Sequence, residues 1–130
     1  MTPQNKKIRV LLCNQHTLFR EGMQALFRNT PIEIVGVAAT AEEALRLLKR
    51  LWPDVVLMDV HTPDASGSEV TRRIKAIDPH VEVLILTLED DDILIASCLE
   101  AGATGFIRKD DRPLQLRRAI NMAYRKAHAA

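Results

Sequence analysis

A doubly wound α/β fold, with a parallel sheet covered by helices on both faces, is the architecture this sequence predicts. Two observations carry that expectation. Of five short aliphatic runs, most are nearly continuous in Val, Ile and Leu, as strands buried on both faces require, rather than alternating with polar residues. Between and after these runs lie segments whose apolar residues recur at helical spacing, so strand and helix alternate along the chain. Short Gly, Pro and Asp punctuation separates them, and right-handed crossovers then place helices on both faces.

The first run spans Ile8 to Cys13, and a helix from Thr17 to Arg28 follows, burying Phe19, Met23, Leu26 and Phe27. The second run spans Ile32 to Ala38; in Thr40 to Leu51, Ala44, Leu47, Leu48 and Leu51 share one helical face. The third run, Asp54 to Asp59, leads to Ser66 to Ile77, where Val70, Ile74 and Ile77 do the same. After Val81 to Thr87, the acidic stretch Glu89-Asp90-Asp91-Asp92 suits a helix N-terminus and its dipole, and that helix stops at Gly102. The last run is Thr104 to Arg108. The final helix opens with Pro113, aligns Leu116, Ile120, Ala123 and Tyr124, and frays after Tyr124.

The bulk properties agree with one domain. A chain of 130 residues, 47% hydrophobic and 27% charged, supplies one core and not two. A net charge of +1 makes the whole chain no obvious polyanion binder. No window is apolar enough to span a bilayer, and MTPQNKKIRV lacks the apolar run of a signal peptide. Cys13 and Cys98 sit among aliphatic residues and read as reduced core thiols, so a soluble, cytoplasmic domain is expected. His16, His80 and His128 show no metal-ligand spacing.

In such a sheet, chemistry collects beyond the carboxyl ends of the strands. Those ends carry Asn14 and Gln15 after the first strand, Asp59 at the end of the third, Thr87 at the end of the fourth, and Lys109 after the fifth. A carboxylate, a hydroxyl and an ammonium at successive strand ends say more together than any one alone. No Gly-rich phosphate loop follows the first strand, where His16-Thr17-Leu18 stands instead, which argues against a nucleotide- or flavin-binding enzyme.

VVLMDVHTP (Val55 to Pro63), LILT (Leu84 to Thr87) and GATGFIRKD (Gly102 to Asp110) resemble the signatures of response-regulator receiver domains, the CheY-like superfamily. IRVLLCNQHTLFREGMQALF (Ile8 to Phe27), DVVLMD and EVTRRI are similar to the NarL/FixJ subfamily, whose second domain is a LuxR-like helix-turn-helix. The resemblance covers about residues 8 to 126. It implies a flavodoxin-like (βα)5 sandwich with strand order 2-1-3-4-5. It also implies a two-component or phosphorelay switch that is not a conventional enzyme and at most catalyses its own phosphorylation and dephosphorylation. Asp59 then occupies the phospho-acceptor position, where transfer rests on positioning and on neutralising the phosphoryl oxygens. By the same resemblance Thr87 hydrogen-bonds a phosphoryl oxygen, and Lys109 pairs with Asp59 or with that group. Phe106 matches the switch aromatic that follows Thr87. His61 lends a backbone carbonyl to a metal, and the side chains of His61 and Glu89 occupy positions that set phosphoryl lifetime.

The departures from the family are informative. Receivers carry two acidic residues after the first strand that hold Mg²⁺, and here Asn14 and Gln15 stand there. Amide oxygens can ligate a hard cation, but each lost carboxylate forfeits several kcal/mol of attraction at an effective dielectric of about 20. Asp59 and Lys109 sum to zero charge, so no cofactor is expected to bind tightly, and Mg²⁺ only weakly, through Asn14, Gln15, Asp59 and the His61 carbonyl. Asp64, Glu89 and Asp90 are the remaining carboxylates near enough in sequence to lend charge. Thr62-Pro63-Asp64-Ala65-Ser66-Gly67 also replaces the commoner Met-Pro-Gly-Met-Asp-Gly loop. The favoured expectation is an atypical receiver in which Mg²⁺-dependent phosphorylation at Asp59 is weakened. The alternative is a fully phosphorylatable receiver served by a histidine kinase.

The same resemblance sets expectations for output. Partners are a sensor histidine kinase or another regulatory protein, and a second copy of the chain. The homodimer is expected through the fourth helix, fifth strand and fifth helix, or through the first and fifth helices. The fourth helix is apolar beyond one face (Ile93, Leu94, Ile95, Ala96, Cys98, Leu99), as either an interface or cover by neighbouring loops would make it. Arg117, Arg118, Arg125 and Lys126 read as a solvated basic face. Residues 1–130 are expected to form a single receiver domain without a DNA-binding effector domain, so that DNA and membranes are not its ligands.

Overall fold

The computed structural model describes residues 7–88 and 91–128. Strands and helices alternate as β1 (Ile8–Cys13), α1 (Thr17–Leu26), β2 (Ile32–Ala38), α2 (Ala41–Leu51), β3 (Val55–Asp59), α3 (Gly67–Ile77), β4 (Glu82–Thr87), α4 (Asp92–Glu100), β5 (Gly105–Arg108) and α5 (Pro113–Ala127). The five strands are parallel and ordered β2-β1-β3-β4-β5, the order expected.

Two-sided burial explains why the strands read as unbroken aliphatic runs. Leu11, Cys13, Val56, Met58, Val83 and Ile85 meet Ala44 and Leu48 of α2, Val70 and Ile74 of α3, and Cys98 of α4. Their chain neighbours Val10, Leu12, Val55, Leu57, Leu84 and Leu86 point the other way, onto Met23 of α1 and Leu116, Ile120 and Ala123 of α5. Every successive residue of a central strand therefore leaves water, at about 25 cal/mol per Å² of apolar surface. Leu45 of α2 is also buried, whereas Leu47 and Leu51 are only half-buried, so the buried stripe lies slightly off the expected one.

The starts of α2, α3 and α4 are set by short polar side chains. Thr40 accepts from Glu43 N at 3.2 Å, Ser66 from Glu69 N at 3.2 Å, and Asp91 from Leu94 N at 3.1 Å. Asp91 is thus the residue of the acidic stretch that caps α4, while Glu89 and Asp90 lie outside the described residues. α1 is shorter than expected because its last turn opens at Phe27, whose carbonyl accepts from Thr30 Oγ1 at 2.6 Å, and Asn29 turns at φ 63°. α5 stays helical to Ala127, and His128 stacks on Tyr124 with ring centroids 4.0 Å apart.

The β3–α3 loop is tightly closed. Thr62 Oγ1 donates to the Ala65 carbonyl at 2.6 Å, and Gly67 N donates to the Val60 carbonyl at 2.9 Å. A Cβ on Gly67 would lie 2.9 Å from that carbonyl oxygen and 3.1 Å from Val60 Cα, both backbone atoms that cannot swing aside. Asp64, on the same loop, reaches α2: its carboxylate accepts from Ala41 N at 2.8 Å and Glu42 N at 3.1 Å. Those backbone bonds hold its carboxyl below the ordinary aspartate range.

Gly67→Ala is expected to lower stability by about 1–3 kcal/mol in urea unfolding, because the loop must move to admit the methyl group. Asp64→Ala is expected to cost about 1 kcal/mol at neutral pH, like loss of a helix cap. The Asp64 carboxyl has a lower pKa folded than unfolded, so its contribution is full above the unfolded aspartate range. It fades as pH falls and is lost through the folded value, where wild-type and variant melting temperatures should converge.

Candidate functional site

Parallel register brings the predicted residues together. Asp59 ends β3 level with Leu86, which is level with Ile107. Thr87 follows Leu86, and the Thr87 carbonyl accepts from Lys109 N at 2.8 Å. On the other side Cys13 is level with Met58, so Asn14 emerges beside Asp59. Asp59, Val60, His61, Thr87, Leu88, Leu94 and Lys109 line a cleft of about 130 Å³ at this edge.

Asp59 is 4% exposed, a burial that leaves its charge little water. Protein donors replace that water. Lys109 Nζ donates to Asp59 Oδ2 at 3.0 Å, and Asn14 Nδ2 donates to the same oxygen at 3.0 Å. His61 N donates to Oδ1 at 3.3 Å, leaving Oδ1 the less occupied oxygen. The expected Asp59–Lys109 pair is therefore present, and the side chain of Lys109 is itself only 11% exposed.

Asn14 is fully buried and its amide is held at both ends. Its Oδ1 accepts from His16 N at 2.7 Å while its Nδ2 faces the carboxylate. Flipping the amide would set oxygen against carboxylate and N–H against N–H, so chemistry selects this orientation. Arg20 Nη1 donates to the Asn14 carbonyl at 2.6 Å and Nη2 to Thr17 Oγ1 at 3.1 Å, tying the first turn of α1 to the site. No sequence signal points to Arg20, which lies six residues from Asn14.

The other candidates divide. Thr87 is buried within the cleft, whereas the side chains of Gln15 and His61 are exposed. Phe106 is 46% exposed on the edge strand. Glu89 lies outside the described residues. Asp64 is occupied at α2 and does not contribute to the pairing of Asp59. Arg108, on β5, donates to the Leu88 carbonyl at 3.3 Å and to Asp110 Oδ1 at 3.0 Å, linking the loops on either side of the cleft. Cys13, free like Cys98, lies just behind the site. Burial pushes its thiol up to about 12, and the charges of Asp59, Asp64 and Glu43 act in the same direction.

The response regulator receiver domain family matches residues 10–121. The chain is 35% identical over 105 residues to the transcriptional regulatory protein DegU of Brevibacillus brevis, covering 80% of this chain and 44% of that one. It is also similar to a solved LuxR-family two-component response regulator from Aurantimonas sp. SI85-9A1, with TM-score 0.87 and 34% identity over 92% of this chain and 86% of that one. The solved signal receiver domain of a Mycobacterium tuberculosis response regulator named NarL gives TM-score 0.85 and 30% identity, covering 96% of this chain and 99% of that one. The chain belongs to the response regulator receiver domain family, and its similarity runs to NarL- and DegU-type regulators. It spans about half the length of the curated relatives it matches, 44% for DegU and 55% for a NarL relative.

Receiver domains generally hold Mg²⁺ beside the phospho-acceptor, which calls for several oxygen ligands. Among the described residues, the groups that face Asp59 fit that poorly. Asn14 turns its N–H toward Asp59 and engages its oxygen elsewhere, and Gln15 is exposed. Among the described residues no group of three or more His, Cys, Asp and Glu could hold a metal, and no helix is long and apolar enough to cross a membrane.

Lys109→Met is expected to lower stability by about 3 kcal/mol, because it strands a buried carboxylate, and Asp59→Asn with Lys109→Met should recover much of that loss. Equal destabilisation by the single and double variants in denaturant titrations would contradict a coupled pair. Native protein at pH 8 should resist iodoacetamide at Cys13, with rapid alkylation after unfolding in urea, read by mass spectrometry.

Proposed function

We propose that this domain is the regulatory part of a NarL/FixJ-type transcriptional regulator, with Asp59 as phospho-acceptor in a site that uses Mg²⁺ weakly. Thr87 and Lys109 contact the incoming phosphoryl group, Phe106 follows Thr87 as the switch, and His61 and Glu89 tune phosphoryl lifetime. Its partners are a sensor histidine kinase or another regulatory protein, and a second copy of the chain. The domain works in the cytoplasm as one receiver unit with a core of about residues 8–126, and DNA binding belongs to another part of the regulator.

The observation that carries the weakened-site reading is the Asn14 amide, which donates to Asp59 Oδ2 at 3.0 Å while its oxygen accepts from His16 N. An acidic residue at that place would add negative charge and call for a cation. The amide instead supplies a donor, and together with Lys109 it satisfies the carboxylate with no net charge left over. Metal entry then displaces bonds already made, with little Coulombic return.

Exposure to Mg²⁺ and acetyl phosphate, followed by intact-mass spectrometry, is expected to give slow, substoichiometric modification that is lost in Asp59→Asn. Asn14→Asp combined with Gln15→Asp should raise Mg²⁺ affinity by about tenfold or more and speed the modification. Rapid stoichiometric modification of the wild type that vanishes in Asp59→Asn would instead establish the fully phosphorylatable alternative. Unchanged metal affinity in the double acidic variant would sink the charge argument.

A further inference from the structure

The ammonium of Lys109 has a second neighbour besides Asp59. Its Nζ lies 5.5 Å from the ring centroid of Phe19, within the range over which a cation is attracted to an aromatic face. Phe19 sits near the start of α1, half-buried against the core cluster that contains Leu116 and Ile120 of α5. Two hydrogen bonds fix the geometry from either side. Arg20 Nη1, one residue after Phe19, is tied to the Asn14 carbonyl at 2.6 Å, and Lys109 N is tied to the Thr87 carbonyl at 2.8 Å. Ring and ammonium are thus presented to each other by opposite ends of the chain.

The chemistry of the two contacts differs. Asp59 holds Lys109 by charge, so that bond must rearrange whenever the carboxylate is modified or an anion enters the cleft. The Phe19 ring is neutral, and its attraction for the ammonium does not depend on the state of Asp59. We propose that Phe19 is a positioning residue for Lys109, limiting the swing of the ammonium so that it stays over the cleft whether Asp59 or a bound anion is its partner. The proposal rests on the reading of Asp59 as the phospho-acceptor, and it adds a residue that no receiver motif quoted above assigns to the site.

The test measures Lys109 directly by NMR in the whole domain, using the chemical shifts and side-chain relaxation of its ε-methylene group. In the wild type the ε-protons should be displaced by the ring current and the group should be ordered. Phe19→Leu keeps apolar volume and removes the π face, so the displacement should vanish and mobility rise, whereas Phe19→Trp should preserve order. Leu26→Ala, a truncation elsewhere on α1, controls for general loosening and should leave Lys109 unchanged. Beryllofluoride with Mg²⁺, a phosphoryl mimic, should bind Phe19→Leu about three- to five-fold more weakly than the wild type. Unchanged Lys109 order in Phe19→Leu, or an equal change in Leu26→Ala, would overturn the proposal. Failure of beryllofluoride to bind the wild type even at saturating Mg²⁺ would count against the Asp59 reading, and the Lys109 measurements would still decide the case of Phe19.

Discussion

A carboxylate that is 4% exposed at the end of a central strand is the constraint around which this domain is organised. Left unpaired in that environment, Asp59 would cost several kcal/mol or give up its charge. Three donors from three places in the chain prevent this: the Lys109 ammonium beyond β5, the Asn14 amide beyond β1, and the His61 backbone within the β3–α3 loop. Two of the donors are in turn held elsewhere, Lys109 by its N–H on the Thr87 carbonyl and Asn14 by its oxygen, which accepts from His16 N. The interaction therefore links loops that contacts within the sheet would leave independent. A buried pair of this kind is weak evidence of net stability, since an apolar replacement of both partners can do as well. Its consequence is geometric: it sets where the mouth of the cleft lies and what chemistry faces it.

Two described carboxylates at this edge of the sheet serve helix starts. Asp64, the carboxylate nearest to Asp59 on its loop, is committed to the first two backbone N–H groups of α2, where the helix dipole favours it. Asp91 caps α4 with a single bond, accepted from Leu94 N. Among the described residues, what meets the Asp59 carboxylate is one ammonium, one neutral amide and one backbone N–H. Burial raises the Cys13 thiol well above its ordinary range, and the carboxylates of Asp59, Asp64 and Glu43 add to the shift.

The opposite economy governs the outer surface. Ile93 of α4 is 84% exposed and Met122 of α5 is 68% exposed, and Leu99, Phe106 and Leu114 are also exposed. Only Ile95 and Cys98 of α4 are buried, so most of the apolar excess of that helix faces outward, one of the two readings its sequence left open. Exposed apolar groups of this size gain from being covered, which is the physical basis for the self-association proposed above. The basic residues Arg117, Arg118, Arg125 and Lys126 are all exposed, consistent with a solvated face on α5.

Much of the fold was legible because its signals are local. Unbroken runs such as Val55–Met58 announce strands covered on both sides, and Thr40, Ser66 and Asp91 announce helix starts through bonds made within three residues. Boundaries slipped by a residue or two where a distant partner decided them: Asp54 leaves β3 because its carboxylate is bonded to Arg9 N, 45 residues away. In the site, Asp59, Thr87 and Lys109 could be named from their places at strand ends. The orientation of the Asn14 amide, the tether from Arg20 and the ring of Phe19 beside Lys109 could not. Periodicity reports which face of an element is apolar, and so Phe19 reads only as core. Which polar atom meets which across the sheet depends on strand order and register, and those exist only once the chain has folded.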